Sequence, residues 1–176
     1  MITKNINFKN FVGNKNKFKI YHKLKILLSQ DNPILKTLYK NYNYSYDKKI
    51  ISKFKKYKYI NLIGMGGSVL GAQAIYDFLS FKIKKNFLFI NNLDLKFFNN
   101  YKKKNSLNLI ISKSGNTLET ITNSNFFIKD NDKNIFITEK NDNYLKKLGK
   151  KLGAEIIEHK NYIGGRYSVF SETGML

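Results

Sequence analysis

The stretch Tyr59-Ile-Asn-Leu-Ile-Gly-Met-Gly-Gly-Ser-Val-Leu-Gly (59–71) decides the fold. It opens on a short run of β-forming side chains, and from Gly64 four glycines and a serine lead into an amphipathic segment. Between Ser68 and Leu79 the residues Val69, Leu70, Ala72, Ile75, Phe78 and Leu79 fall largely on one helical face. Strand, tight turn, helix is a βα unit, and the pattern recurs downstream. Asn86-Phe-Leu-Phe-Ile (86–90), Leu107-Asn-Leu-Ile-Ile (107–111), Asn134-Ile-Phe-Ile-Thr (134–138) and Glu155-Ile-Ile (155–157) read as further strands. Thr117 to about Lys129 and Asn143 to Lys151, the latter closed by Gly153, read as helices. Short apolar runs alternating with helices imply parallel βαβ units buried on both faces. Such crossovers are right-handed, so the expected class is α/β with a doubly wound parallel sheet. Ligands then belong at the carboxyl ends of the strands.

Residues 1–57 differ. Leu24, Leu27, Leu28, Ile34, Leu35 and Leu38 suggest one or two helices interrupted near Pro33, and Asn41 to Asp47 reads as a loop. Ile50, Ile51 and Phe54 suggest a short helix entering the first strand. The expectation is a helical lead-in packed against the sheet. No internal repeat is visible.

The 176 residues suffice for one domain burying roughly 70% of its unfolded surface. No apolar run reaches the roughly 18 residues of a membrane span. The N-terminal residues lack the apolar core of a secretory signal, which points to a cytoplasmic protein. With no cysteine, disulfides and thiolate metal sites are excluded, and Glu139, Asp142 and Glu158 show no metal-ligand spacing. A net charge of +20 raises nucleic acid as a partner. The make-up argues against it: 31 of the 32 basic residues are lysines scattered along the chain, beside 24 asparagines. Lys, Asn, Ile, Phe and Tyr are the residues of AT-rich codons, so a biased genome accounts for the charge. Against that background 7 of the 11 glycines and the only arginine fall within three short strings.

The first string is Gly64–Gly71. A dinucleotide fingerprint fails because Val69 stands at its sixth position, and a P-loop from Gly66 fails because Ala72 and Gln73 replace its Lys-Ser/Thr. A close backbone approach to a ligand remains, with Ser68 expected as N-cap and hydroxyl donor; so does a tight turn with no ligand. The second string, Ser-Lys-Ser-Gly-Asn-Thr-Leu-Glu-Thr (112–120), sets Ser112, Ser114 and Thr117 around Gly115 at a helix mouth. Hydroxyls and turn amides there suit a phosphate. Lys113 adds attraction at longer range or faces solvent, and Thr117 and Thr120 equally suit helix capping. The third string, Gly-Gly-Arg-Tyr-Ser (164–168), offers the Arg166 fork to an oxyanion or to an ion pair. His22 sits among lysines and reads as solvent-facing, and His159 ends the fifth strand near Arg166.

The order and spacing of these strings over roughly residues 50–176 resemble the glucose-6-phosphate isomerase family, whose signature resembles Ile163-Gly-Gly-Arg-Tyr-Ser-Val-Phe-Ser (163–171). The resemblance implies a flavodoxin-like sugar-isomerase (SIS) domain over 58–160, preceded by the lead-in 1–57, with 161–176 leading toward a second subdomain. It implies cofactor-free interconversion of glucose 6-phosphate and fructose 6-phosphate through a cis-enediolate. Ser112, the Lys113 backbone, Ser114 and Thr117 match positions that hold the substrate phosphate, and Gly67 and Ser68 line the same pocket. Arg166 matches the arginine that stabilises the enediolate. Asn116 departs from the threonine or serine usual there. The family is homodimeric, and its glutamate base, ring-opening histidine and C-terminal lysine come from later in the chain. On this reading the 176 residues are the N-terminal part of such an enzyme, without its base and most of its dimer interface, and inactive alone. Non-catalytic binding of a sugar phosphate is the alternative.

Overall fold

The computed structural model describes residues 17–93, 105–129 and 131–176. The first sixteen residues of the expected lead-in, and with them the signal-sequence region, lie outside these. The sheet comprises β1 (Tyr59–Gly64), β2 (Asn86–Ile90), β3 (Ser106–Ile111), β4 (Lys133–Thr138) and β5 (Glu155–Glu158). All four pairings are parallel, and the order is β2-β1-β3-β4-β5. This is a doubly wound α/β sheet of flavodoxin-like order, as the strand–helix alternation requires.

Strand alternation assigns the faces. Ile60, Leu62, Leu107, Leu109, Ile111, Ile135, Ile137 and Ile157 point to one face, with Val69 of α4 (Gly67–Leu79) and Phe54 of α3 (Lys48–Phe54). Ile63, Ile90, Ile110 and Phe136 point to the other, against α5 (Leu118–Phe127) and α6 (Tyr144–Lys151). Near-continuous burial along β1, β3 and β4 is what two covered faces demand of these apolar runs.

One polar row crosses the second face. Asn61, Asn108 and Asn134 are in register on β1, β3 and β4. The Asn61 amide donates to Asn108 Oδ1 at 2.9 Å, Asn108 donates to Asn134 Oδ1 at 2.9 Å, and Asn134 donates to the Asp132 carbonyl at 3.1 Å. Asn108 and Asn134 each both donate and accept, so the row offsets much of the cost of burying asparagine amides.

The lead-in departs from expectation in part. Phe54 and Tyr57 join the core and Tyr46 and Ile50 pack on it, but α1 (Lys17–Ser29) does not: Phe18, Leu24, Leu27 and Leu28 are all exposed. Ile20, Leu24, Leu27 and Leu28 recur at helical spacing, yet this apolar stripe packs on no part of the buried core. A four-residue helix, α2 (Pro33–Lys36), follows, with Asn32 capping it through the Ile34 amide at 2.9 Å. The chain continues after β5 into a 3₁₀ helix (Gly165–Phe170) and α7 (Glu172–Met175). Fully buried Glu172 accepts from the Ser45 amide at 2.9 Å, and Tyr46 donates to the Met175 carbonyl at 2.9 Å. These bonds tie the loop before α3 to the end of the described chain.

Candidate functional site

Strand order creates the site. From β1 the chain moves to β2 on one side, while β3 lies on the other, so the loops leaving β1 and β3 diverge over a crevice at the switch point. A cavity of about 300 Å³ occupies it. Met65, Gly67 and Ser68 line it from the first loop, and Ser112, Lys113, Ser114 and Thr117 from the second. Glu139, just past β4, and Gly165 of the 3₁₀ helix complete the wall. All six of the expected phosphate and pocket residues are therefore brought together.

The second loop is built to present oxygen and amide groups. Ser112 is buried, and its hydroxyl lies 2.9 Å from the Thr117 hydroxyl and accepts from the Gly115 amide at 3.2 Å. Thr117 occupies the N-cap of α5 but makes no side-chain cap bond; its hydroxyl turns to Ser112 and the cavity. Ser114 Oγ accepts from the Asn116 amide at 3.3 Å. Gly115 has φ +67°, and an added Cβ would stand 2.0 Å from Asn143 Oδ1, so only glycine fits the turn. Asn143 also caps α6 through the Lys146 amide at 2.9 Å, and Asn116 Oδ1 accepts from the Tyr144 amide at 3.0 Å. The loop is thus fixed from behind by the start of α6, and Asn116 faces that helix rather than the cavity lining.

The first loop corrects one expectation. Ser68 is not the N-cap: Gly66, at φ 55° and ψ −125°, takes that place, and α4 begins at Gly67. The left-handed φ that turns the strand out of the sheet favours glycine, so the cap moves two residues earlier. Ser68, buried in the first turn, still lines the cavity. Gly67 lies against the 3₁₀ helix: a Cβ there would meet the Gly165 carbonyl oxygen at 2.1 Å. The Ser168 hydroxyl donates to the Gly67 carbonyl at 2.7 Å. First and third strings are thereby held against each other.

Charge is nearly balanced inside. Lys113 Nζ lies 3.4 Å from Glu139 Oε1 and donates to the Asn161 carbonyl at 2.7 Å, so it faces neither open solvent nor the cavity as a free cation. Arg166 is exposed beside Gly165, outside the cavity lining, and forms no hydrogen bond or ion pair with the described residues. His159 is buried. Its Nδ1–H donates to the Lys160 carbonyl at 3.1 Å, leaving Nε2 an acceptor without a partner among the described residues. Burial lowers its pKa, with Lys113 adding to the effect while the Lys160 carbonyl, Glu172 and Glu139 oppose it. Among the described residues no cluster of three or more His, Asp or Glu could hold a metal ion.

As individual lining or supporting residues, Glu139, Gly165 and Asn143 were not singled out by the sequence reading. Glu139 had a signal: it follows the last residue of β4, at the same sheet end as both loops. Gly165 had one too, as part of the third string; Asn143 carries none, because its role is a contact across the fold.

The phosphoglucose isomerase family model matches residues 39–176. Among curated proteins, glucose-6-phosphate isomerase of Methanocaldococcus jannaschii is 38% identical over 145 residues, covering 74% of this chain and 35% of its own. That of Acholeplasma laidlawii is 34% identical over 160 residues, covering 75% of this chain and 37% of its own. The chain thus spans about a third of the length of these relatives. A hypothetical protein of Thermus thermophilus has a similar fold, with TM-score 0.64 and 18% identity over 89% of this chain and 42% of that one. Vibrio vulnificus NanR, solved in complex with ManNAc-6P, gives TM-score 0.52 and 19% identity over 72% of this chain and 47% of that one.

Proposed function

The chain belongs to the phosphoglucose isomerase family, and on that premise we propose that its switch-point cavity holds the phosphate of a hexose 6-phosphate during glucose 6-phosphate/fructose 6-phosphate isomerisation. The observation that carries this is the convergence of three hydroxyls, Ser112, Ser114 and Thr117, on one small cavity at the mouth of α5. Hydrogen bonds to a charged phosphate contribute about 1.5–3 kcal/mol each. Lys113 is already neutralised by Glu139, so hydroxyls and the Lys113 backbone carry the anion. Gly67 and Ser68 bound the sugar side of the phosphate.

Arg166 is assigned to the reacting end. Its guanidinium has no partner among the described residues, which leaves both arms for the oxygen that becomes negative in the cis-enediolate. The reaction moves one proton between C1 and C2 and consumes no cofactor. Among the described residues Glu139 is the one carboxylate lining the cavity, and its pairing with Lys113 makes it a poor base. The proton-transferring group is therefore assigned to the part of the family's chain that these residues do not match. The sugar-isomerase domain is drawn as 58–160, with 1–57 as lead-in and 161–176 leading toward a second subdomain; dimerisation is assigned to the same unmatched part.

Calorimetric titration of the 176-residue chain with glucose 6-phosphate tests the pocket. Saturable binding weakened about tenfold or more by Ser112→Ala and by Thr117→Ala is expected. A folded chain that takes up no hexose phosphate overturns the assignment. Isomerase activity in this chain, abolished by Arg166→Ala, would show that the base lies within it. Non-catalytic sugar-phosphate binding is the second reading, favoured by a cavity that has phosphate donors and, among the described residues, no free base; NanR, of similar fold, is complexed with a sugar phosphate.

A further inference from the structure

A second cavity, of about 550 Å³, opens beside the 160–162 turn and shares no lining residue with the first. Its walls include three tyrosines, Tyr39, Tyr42 and Tyr162, and two lysines, Lys36 and Lys160, with Asn43 between them. The volume lies within the range of small-ligand sites. Tyr39 and Tyr162 are each 47% exposed. The walls are held in place: Lys160 Nζ sits 4.1 Å above the Tyr42 ring and donates to the Asn43 carbonyl at 2.6 Å. Tyr42 in turn reaches Glu172, and Asn32 fixes the turn that carries Lys36.

The chemistry of the lining selects a ligand class. No carboxylate stands among the described lining residues, so neither cation is neutralised from within and a neutral sugar's hydroxyl donors find few acceptors. Among the described residues Lys36 pairs with Asp31 alone, and both side chains are more than half exposed. Such a pair is held weakly enough for a phosphate to replace it. Lys160 has N–H donors beyond the one given to Asn43. Flat tyrosine walls beside two ammonium groups suit a ligand with one aromatic plane and one phosphate dianion. We propose that this cavity binds a nucleoside monophosphate, the base against the tyrosine rings and the phosphate between Lys36 and Lys160. The proposal stands independently of the hexose phosphate site.

The probe is adenosine 5′-monophosphate, titrated calorimetrically into the full chain with inorganic phosphate and an oligoadenylate in parallel. Saturable binding is expected, weakened about tenfold or more by Lys36→Gln and by Tyr162→Leu, and restored by Tyr162→Phe. Lys36→Gln alters an exposed side chain, so its effect is read on a folded protein. Ser112→Ala should leave the nucleotide affinity unchanged. The proposal is overturned by no saturable uptake by the folded chain, by inorganic phosphate binding as tightly as the nucleotide, or by loss of binding with Ser112→Ala but not with Lys36→Gln and Tyr162→Leu. Affinity that climbs with oligoadenylate length would also overturn it, in favour of a nucleic-acid strand.

Discussion

Single residues set the tolerance of this site. Gly67 has no room for a methyl group, because the Gly165 carbonyl would stand 2.1 Å away and is backbone, which cannot rotate aside. Gly67→Ala is expected to destabilise the chain by about 3 kcal/mol, the upper end for overpacking, measured by urea unfolding. His159 makes a second residue-scale prediction. Burial puts its folded pKa below the unfolded value of 6.5, so the unfolded chain binds the proton more readily. Its contribution is complete above pH 6.5 and is lost as the pH falls from there toward the folded pKa. Thermal melts from pH 8 to pH 5 should show a decline that His159→Asn reduces, the difference between the two curves isolating this group from the carboxylates. Neither effect is legible in the sequence. His159 reads as a strand-end histidine, and neither its burial nor its nearness to the charges of Glu172, Lys113 and Glu139 can be read from that position.

Elements are far more legible, because their signals are local. Every expected strand appears within one residue of its reading, since β-branched and aromatic runs flanked by Asn, Lys and Gly mark strand ends directly. Helix starts are less secure: the shift from Ser68 to Gly66 as N-cap turns on a left-handed φ that composition does not reveal. α1 shows the opposite failure, a helix whose pattern suggests packing and whose apolar side chains meet water. The start of α6 joins element to site. Asn143 caps the helix and stands where a Cβ on Gly115 would be, so it buttresses the serine loop as well. Asn143→Ala should cost about 1–2 kcal/mol of stability for the lost cap. It should also weaken hexose phosphate binding, which calorimetry of the folded variant would register; a pure capping role would leave the affinity alone.

At the scale of the whole molecule, the net charge of +20 comes from lysines scattered along the chain and repels itself. Added salt shortens the Debye length from about 10 Å at 0.1 M to about 3 Å at 1 M. The melting temperature should therefore rise between these concentrations in scanning calorimetry, opposite to the trend for a protein held by surface ion pairs. Sheet class and the glycine- and serine-rich loops at the strand ends can be read from the chain because periodicity and glycine placement are sequence properties. Strand order, the Glu139–Lys113 pair and the meeting of Gly67 with Gly165 cannot, since each is a product of closure. That last meeting has a consequence for how the protein is made. The Ser168 hydroxyl that bonds the Gly67 carbonyl lies 101 residues later, and a ribosome adding roughly 5–20 residues per second needs about 5–20 s to reach it. Until then the glycine loop lacks the wall that Gly165 and Ser168 supply, so the cavity takes its final form only after the third string has been made.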